Sequence, residues 1–358
     1  MEMDWRERRT VTILSVILAI LFAAVLIVLG IRYRASRPET AAGDEADGEL
    51  VQQANHSALR YSNGSATLSF ALDEEGKWIW ADDPGFPLDD SGVTRILALL
   101  ADLKPQQTIT PESEEDLETY GLDEPAATVA LTEENGRVTT LDLGKTTTDG
   151  DSYYMMKNGD RSTLYIIADT LYLAMQTPIY DMCVLPELPV MPEENMQSLF
   201  IQGAVPPLEE GQEHPSPAPT WNLIARWAEV SESVLWFRGD ANVTESEALR
   251  ALIEDLKTFT VTKCVDYHPS DDAAEICGFA SPAATLRVGY TTEGGSQETF
   301  SIVVGNQALS GSGRYVRLGE DTSIFLAPDS CVDSLLAIAS AGLEARIGEQ
   351  AGEQGGDA

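Results

Sequence analysis

The sequence predicts an α+β fold: one N-terminal apolar helix, then two tandem copies of an antiparallel sheet with a helix packed on it. Three observations predict it. A stretch "YGLDEPAATVAL" at 120–131 returns as "CGFASPAATLRV" at 277–288. An amphipathic helix pattern precedes each stretch, and hairpin-rich β patterns follow each one. Hairpins imply antiparallel pairing, and a single amphipathic helix per copy implies a sheet covered on one face.

The first helix pattern is Val93, Ile96, Leu97, Leu100 and Leu103, and the second is Leu249, Leu252, Ile253, Leu256 and Phe259. Both follow i, i+3, i+4, i+7, the apolar stripe of a helix. Asp89 and Asp90 are placed to cap the first helix, while Thr244 with Glu247 fits a capping box before the second. A short β-prone run follows each (107–110 and 260–265), then a short acidic helix over 114–120 or 271–277.

The repeated stretch ends that short helix. Gly121 and Gly278 sit where a residue just past a helix needs a positive φ, which glycine adopts freely. Leu122 and Phe279 are then the apolar residues that fold back on the helix. Pro125 and Pro282 block helix continuation and favour an extended chain. The motif therefore predicts a helix stop joined to a strand start, an architectural role.

Strands over 138–143 and 299–304 are expected to end at Gly144 and Gly305. Further strands follow in "YYMMK", "RYVRL", "TLYIIA" and "SIFLA", with short helices near 169–176 and 330–339 closing each copy. Upstream of each long helix, "ATLSFALDEEGKWIWA" and "WNLIARWAEVSESVLWFRG" read as hairpins. The copies span 55–182 and 220–340. Residues 183–219 carry eight prolines around a strand-like "SLFIQGA" and read as a connector. Residues 32–54 read as an acidic tether and 341–358 as a disordered tail.

Residues 11–31, VTILSVILAILFAAVLIVLGI, carry no charge. A stretch of about 20 apolar residues spans the ~30 Å hydrocarbon core of a bilayer. The run lacks amphipathic periodicity, and no small-residue cleavage site follows it, so a permanent single-pass anchor is expected. Arginines flank it on both sides (Arg6, Arg8, Arg9; Arg32, Arg34, Arg37), which leaves orientation tied on charge. A short tail at 1–10 followed by a long soluble region is the layout of an anchor that exports its C-terminal part.

A net charge of −35 excludes nucleic-acid binding as the working function, because such a surface repels polyanions. Catalytic signatures are sparse. The three histidines, His56, His214 and His268, lack metal-ligand spacing, and neither G-x-S-x-G nor S-x-x-K occurs. Gly144-Lys145-Thr146 resembles the end of a phosphate loop, but Thr139 stands where that loop needs glycine, so a turn after a strand is expected. Asp149-Gly150-Asp151 reads as a solvated turn. No cofactor, metal or catalytic residue is expected.

Of the four cysteines (Cys183, Cys264, Cys277 and Cys331), Cys264 and Cys277 flank one short segment and can pair in an oxidising compartment. Four buried free thiols is the other reading. Trp78 and Trp80 share one strand face and are expected to pack inward with the other hairpin tryptophans; exposed tryptophans would instead offer a stacking platform for sugars.

The apolar span, the hairpin containing Lys77-Trp78-Ile79, "YGLDEP" at 120–125, "LDLG" at 141–144 and the Tyr154…Tyr165-Ile166 strands together resemble a bacterial membrane-anchored family carrying domain of unknown function 4340. The resemblance covers most of 55–340. In the second copy Cys277-Gly278-Phe279 replaces Tyr-Gly-Leu. It implies an accessory partner of an ABC-type transporter or envelope complex and brings no catalytic residues with it. The expected function is thus a non-enzymatic extracytoplasmic binding module in the cell membrane. A cell-wall carbohydrate binder or hydrolase is the alternative.

Overall fold

The computed structural model describes residues 50–51, 54–111, 116–207 and 216–345. The expected cytoplasmic tail, membrane anchor and most of the tether lie outside the described residues, as do His214 and 346–358. Among the described residues no helix is long and apolar enough to cross a membrane.

The chain is α+β with two antiparallel sheets. The first sheet's chain order is β1 (His56–Ser62), β2 (Thr67–Leu72), β3 (Trp78–Trp80), α1 (Ser91–Ala101), β4 (Gln107–Ile109), α2 (Asp116–Tyr120), β5 (Ala127–Glu133), β6 (Val138–Thr146), β7 (Ser152–Lys157), β8 (Leu164–Ala168) and α3 (Thr170–Ala174). In space the strands run β3-β2-β1-β5-β6-β7-β8-β4. The second sheet is built from β9 (Met196–Gly203), β10 (Thr220–Ala228), β11 (Ser233–Arg238), β12 (Ala241–Asn242), α4 (Glu247–Lys257), β13 (Lys263–Asp266), α5 (Asp271–Ile276), β14 (Ala284–Thr291), β15 (Gln297–Gln307), β16 (Arg314–Leu318), β17 (Ile324–Ala327) and α6 (Asp333–Ala341). Its order, β12-β11-β10-β9-β14-β15-β16-β17-β13, matches the first with one added edge strand.

Alternation explains the inner faces. Along β5, Ala127, Val129 and Leu131 are buried and the residues between them are half-buried. Along β14, Ala284, Leu286, Val288 and Tyr290 are buried, and Arg287 between them is exposed. The helices supply the opposing apolar stripe: Val93, Ile96 and Leu100 of α1 in the first core, Leu249, Leu252, Ile253 and Leu256 of α4 in the second. Each such side chain contributes roughly 1.5–3 kcal/mol when fully buried. Trp78 and Trp80 pack against the first core, and Trp221 and Trp236 are buried in the second; Trp227 is exposed.

Several expectations need correction. The connector is shorter than 183–219, because Met196–Gly203 is β9, hydrogen-bonded between β10 and β14 in the middle of the second sheet. Its counterpart β1, which was unread in the sequence, lies between β2 and β5. The tether ends earlier than residue 54: Leu50 and Val51 are buried in the first core, and the Leu50 N–H donates to the Leu103 carbonyl at 3.3 Å. The ordered chain also continues past 341, where Gly342 (φ 81°) reverses it and Leu343 packs on the second core.

The cap of α4 is Ser246, whose hydroxyl accepts from Leu249 N–H at 3.3 Å. Thr244 lies two residues before the cap position, and its hydroxyl instead accepts from the Trp236 N–H at 2.8 Å. At α1 the Asp90 side chain makes no capping bond, and Asp89 accepts from Ser91 N–H instead.

The two cores meet at a seam. Phe86 stands edge-on to Trp80 (5.3 Å between centroids) and to Tyr267 (5.5 Å), and tilted against Tyr180 (5.9 Å). Polar contacts rim it: Tyr267 Oη donates to the Gly85 carbonyl at 3.1 Å, and His268 Nδ1 lies 2.9 Å from Asp83 Oδ2.

Candidate functional site

Gly121 and Gly278 have φ of 69° and 88° and occupy equivalent positions. Gly121 N–H donates to the Glu118 carbonyl and Leu122 N–H to the Leu117 carbonyl. Gly278 and Phe279 donate in the same pattern to Glu275 and Ala274. These paired bonds are the Schellman closure of a helix C-terminus. Pro125 and Pro282 follow, and β5 and β14 begin two residues after each.

What receives the helix end is the bulged end of the neighbouring strand. β6 runs on to Thr146 and β15 to Gln307, each with a register shift three residues before its end. Gly144-Lys145-Thr146 is therefore bulged strand and not the expected turn. A Cβ on Gly144 would lie 2.2 Å from the Tyr120 carbonyl oxygen, and one on Gly305 2.1 Å from that of Cys277. Only a residue without a side chain lets these backbones approach so closely. The next residue then caps the helix: Lys145 Nζ donates to the Glu118 carbonyl, and Asn306 Nδ2 to the Ile276 carbonyl, each at 2.9 Å. Lys145, the candidate phosphate ligand, is used in this way, as a cation at a helix C-terminus.

Under the motif, Leu122 packs with Leu117, Met156 and Leu164 on the outer face of the first sheet. In the second, Phe279 lies beneath Arg317, whose guanidinium carbon is 4.4 Å from the ring centre. The six motif residues thus form two separate structural joints, and the fold does not bring the two joints together.

The shallow dish beside Gly121, about 280 Å³, is lined by Glu118, Asp123, Glu124 and Lys145. A wider groove, about 830 Å³, lies between β12, the start of α4 and 341–345. Asp149 accepts from the Thr147 hydroxyl within its turn, and those hydrogen bonds hold its carboxyl below the usual range. No group of three metal-ligating side chains occurs among the described residues.

The outer face of the second sheet is different in kind. Alternation turns Arg226 on β10, Arg287 on β14 and Arg317 on β16 away from the core. Arg226 lies 4.5 Å from the Phe237 ring centre and Arg287 5.6 Å from that of Phe200. With Arg317 over Phe279, this gives three guanidinium–ring pairs across one face. Such stacking is worth about 0.5–1 kcal/mol per pair at exposed sites, and it holds each cation in place. Between the pairs stand Asn222, Ser198, Thr285, Ser301 and Val303, and Ile224 is 48% exposed. The residues alternating outward on β9, β10, β14 and β15 include no Asp or Glu. In a chain of net charge −35 this is a local reversal of sign. The sequence reading missed it because the six side chains come from positions 200 to 317 with no shared local motif. The corresponding face of the first sheet carries small residues such as Ala58, Ser69, Ala71 and Ala130.

No curated protein and no solved structure was found to match the chain. A family model described as a domain of unknown function (DUF4340) matches residues 78–182. That span runs from β3 to the 3-10 turn at Ile179–Met182, so the chain carries, within its first sheet, a domain of the DUF4340 family.

Proposed function

We propose that this chain is a non-enzymatic binding module, two copies of one α+β unit, anchored in the cell membrane by residues 11–31 and facing outside the cytoplasm. It docks an acidic partner protein on the outer face of its second sheet, and a transporter or envelope component fits that description. The observation that carries the reading is the set of three ring-stacked arginines on a face whose outward residues on β9, β10, β14 and β15 include no Asp or Glu. Arginine and aromatic side chains dominate the energetic centres of protein interfaces, and stacking lowers the entropy lost when a partner carboxylate is bound. The surrounding negative charge favours a partner whose acidic patch is confined to the contact and whose remaining surface is not acidic. Anchoring rests on the uncharged 11–31 run. The carbohydrate alternative draws less support, because Trp227 is the one hairpin tryptophan left exposed.

The test places a photo-crosslinking residue at Ile224 in the full chain, expressed in its native cells. A discrete adduct is expected, and it should disappear in Arg226→Glu/Arg287→Glu. An adduct that survives the double reversal, or one obtained from Ala130 on the first sheet and not from Ile224, would overturn the docking face. Protease added to spheroplasts should degrade the exported part, and protection until lysis would overturn the orientation.

A further inference from the structure

The four cysteines are free thiols, as one of the two sequence readings had it, and the pairing that sequence proximity allowed is not the one the fold sets up. Cys277 ends α5 near Arg317 on the outer side of the second sheet. Cys264 lies on β13, opposite Phe325 of β17, buried in the second core. The thiol beside it is that of Cys183, from the segment leaving the first sheet, and the two side chains are within hydrogen-bonding reach of each other.

This juxtaposition is held from both sides. Tyr180 Oη donates to Asp266 Oδ1 at 3.2 Å, and Lys263 Nζ lies 2.6 Å from Asp181 Oδ1. Residues 180–183 therefore lie along 263–266 with three side-chain contacts in four residues. Cys183 is further tied to the first unit by the backbone bridge between Leu88 and Cys183. One thiol thus belongs to the end of the first unit and the other to an edge strand of the second.

We propose that Cys183 and Cys264 are a disulfide-forming pair that covalently locks the first sheet unit to the second. The oxidant is of the disulfide class, a small-molecule or protein disulfide. Cys183, half-exposed, attacks it as the thiolate, forming a mixed disulfide and releasing one thiol. Cys264 then loses its proton and attacks the Cys183 sulfur, forming the S–S bond and releasing the second thiol. Two protons and two electrons leave the pair, and the oxidant becomes two thiols. Burial pushes both thiols upward, Cys264 to about 12, so exchange in the folded chain is slow and accelerates as pH rises. The linked segment encloses β9 to β12 and α4, so the bond fixes the seam around Phe86 whether or not the outer face binds a partner.

The test incubates the purified full chain with oxidised glutathione, both folded and during refolding from denaturant, and alkylates the remaining thiols. Digestion includes a protease that cuts at Glu275, since trypsin leaves Cys264 and Cys277 on one peptide. The expected result is a cross-linked peptide pair joining Cys183 to Cys264, a mass loss of two hydrogens, and two of the four thiols still titratable. The melting temperature should rise on oxidation, and this rise should vanish in Cys183→Ser. Where Cys183→Ser fails to fold, Cys264→Ala takes its place, and the wild-type peptide map decides alone if both fail. A Cys264–Cys277 link, any other pair, or four titratable thiols under both regimes overturns the proposal.

Discussion

Replacing Gly121 by alanine separates two costs that the structure keeps apart elsewhere. Gly76 has φ 79° with nothing within 4 Å of where a Cβ would sit. Gly76→Ala therefore carries only the left-handed backbone penalty, about 1–2 kcal/mol. Gly121 has φ 69°, and its Cβ would lie 2.5 Å from Lys145 Cγ and 2.9 Å from Lys145 N. The lysine side chain can swing aside at the loss of its bond to the Glu118 carbonyl. The backbone nitrogen belongs to β6 and can move only with the strand. Overpacking of that kind adds roughly 1–3 kcal/mol, so Gly121→Ala should cost about 2–5 kcal/mol in all. Urea unfolding followed by circular dichroism reads the difference between the two variants. Gly144→Ala, aimed at the Tyr120 carbonyl, should destabilise at least as much and combine less than additively with Gly121→Ala, because both break one joint. Equal losses at Gly76 and Gly121 would refute the close-approach argument. Full additivity of Gly121→Ala and Gly144→Ala would refute the single joint.

Other outcomes are expected on the same grounds. Leu122→Ala should cost about 2–4 kcal/mol, since the side chain is buried beside Met156 and Leu164, and thermal unfolding measures it. Ser246→Ala should cost about 1 kcal/mol through loss of the α4 cap, with the far-ultraviolet helix signal retained. Glu133 accepts from Arg137 Nε at 2.7 Å, and that bond holds its carboxyl below the usual range. Its contribution is therefore complete above the unfolded-state value, about 4.3, and is lost as pH falls through the lower folded-state value. In Glu133→Gln, melting temperature should fall less steeply on acidification than in the wild type. An unchanged acid limb would refute this assignment.

The parts of the fold legible in the sequence are those written locally. Positive φ, proline and an apolar fold-back residue fall within six positions at 120–125, so the joint can be read from a short string. β1 escaped, and β9 reads only as a strand-like stretch within the connector: "HSALRYS" alternates around Leu59 and Tyr61, whereas "MQSLFIQG" is flanked by proline-rich chain. What places both at the centre of a sheet is pairing with β5 or β14, which follow much later in the chain. The α4 cap reads as Thr244 because its spacing to Glu247 fits a capping box; the helix starts at Glu247 itself, which makes Ser246 the cap. Nearness along the chain offered Cys264 and Cys277 as a possible pair, but it says nothing about which segment brings a thiol to the side of β13. The arginine face is assembled from five strands and one loop, and each contributes a residue that is unremarkable by itself.

The strand order has a further consequence at the margins of the sheets. The outermost strands are β3 and β4 in the first, three residues each, and β12 and β13 in the second, two and four residues. Edges this short offer a foreign strand too few free amides and carbonyls to extend either sheet. Segment 180–183 additionally lies along β13. Where identical chains are held side by side, open edges are what nucleates fibrils. Removing Ala241 and Asn242 would leave six-residue β11, with Val234, Leu235 and Phe237, as the new margin. The two residues of β12 thus act as a guard against polymerisation.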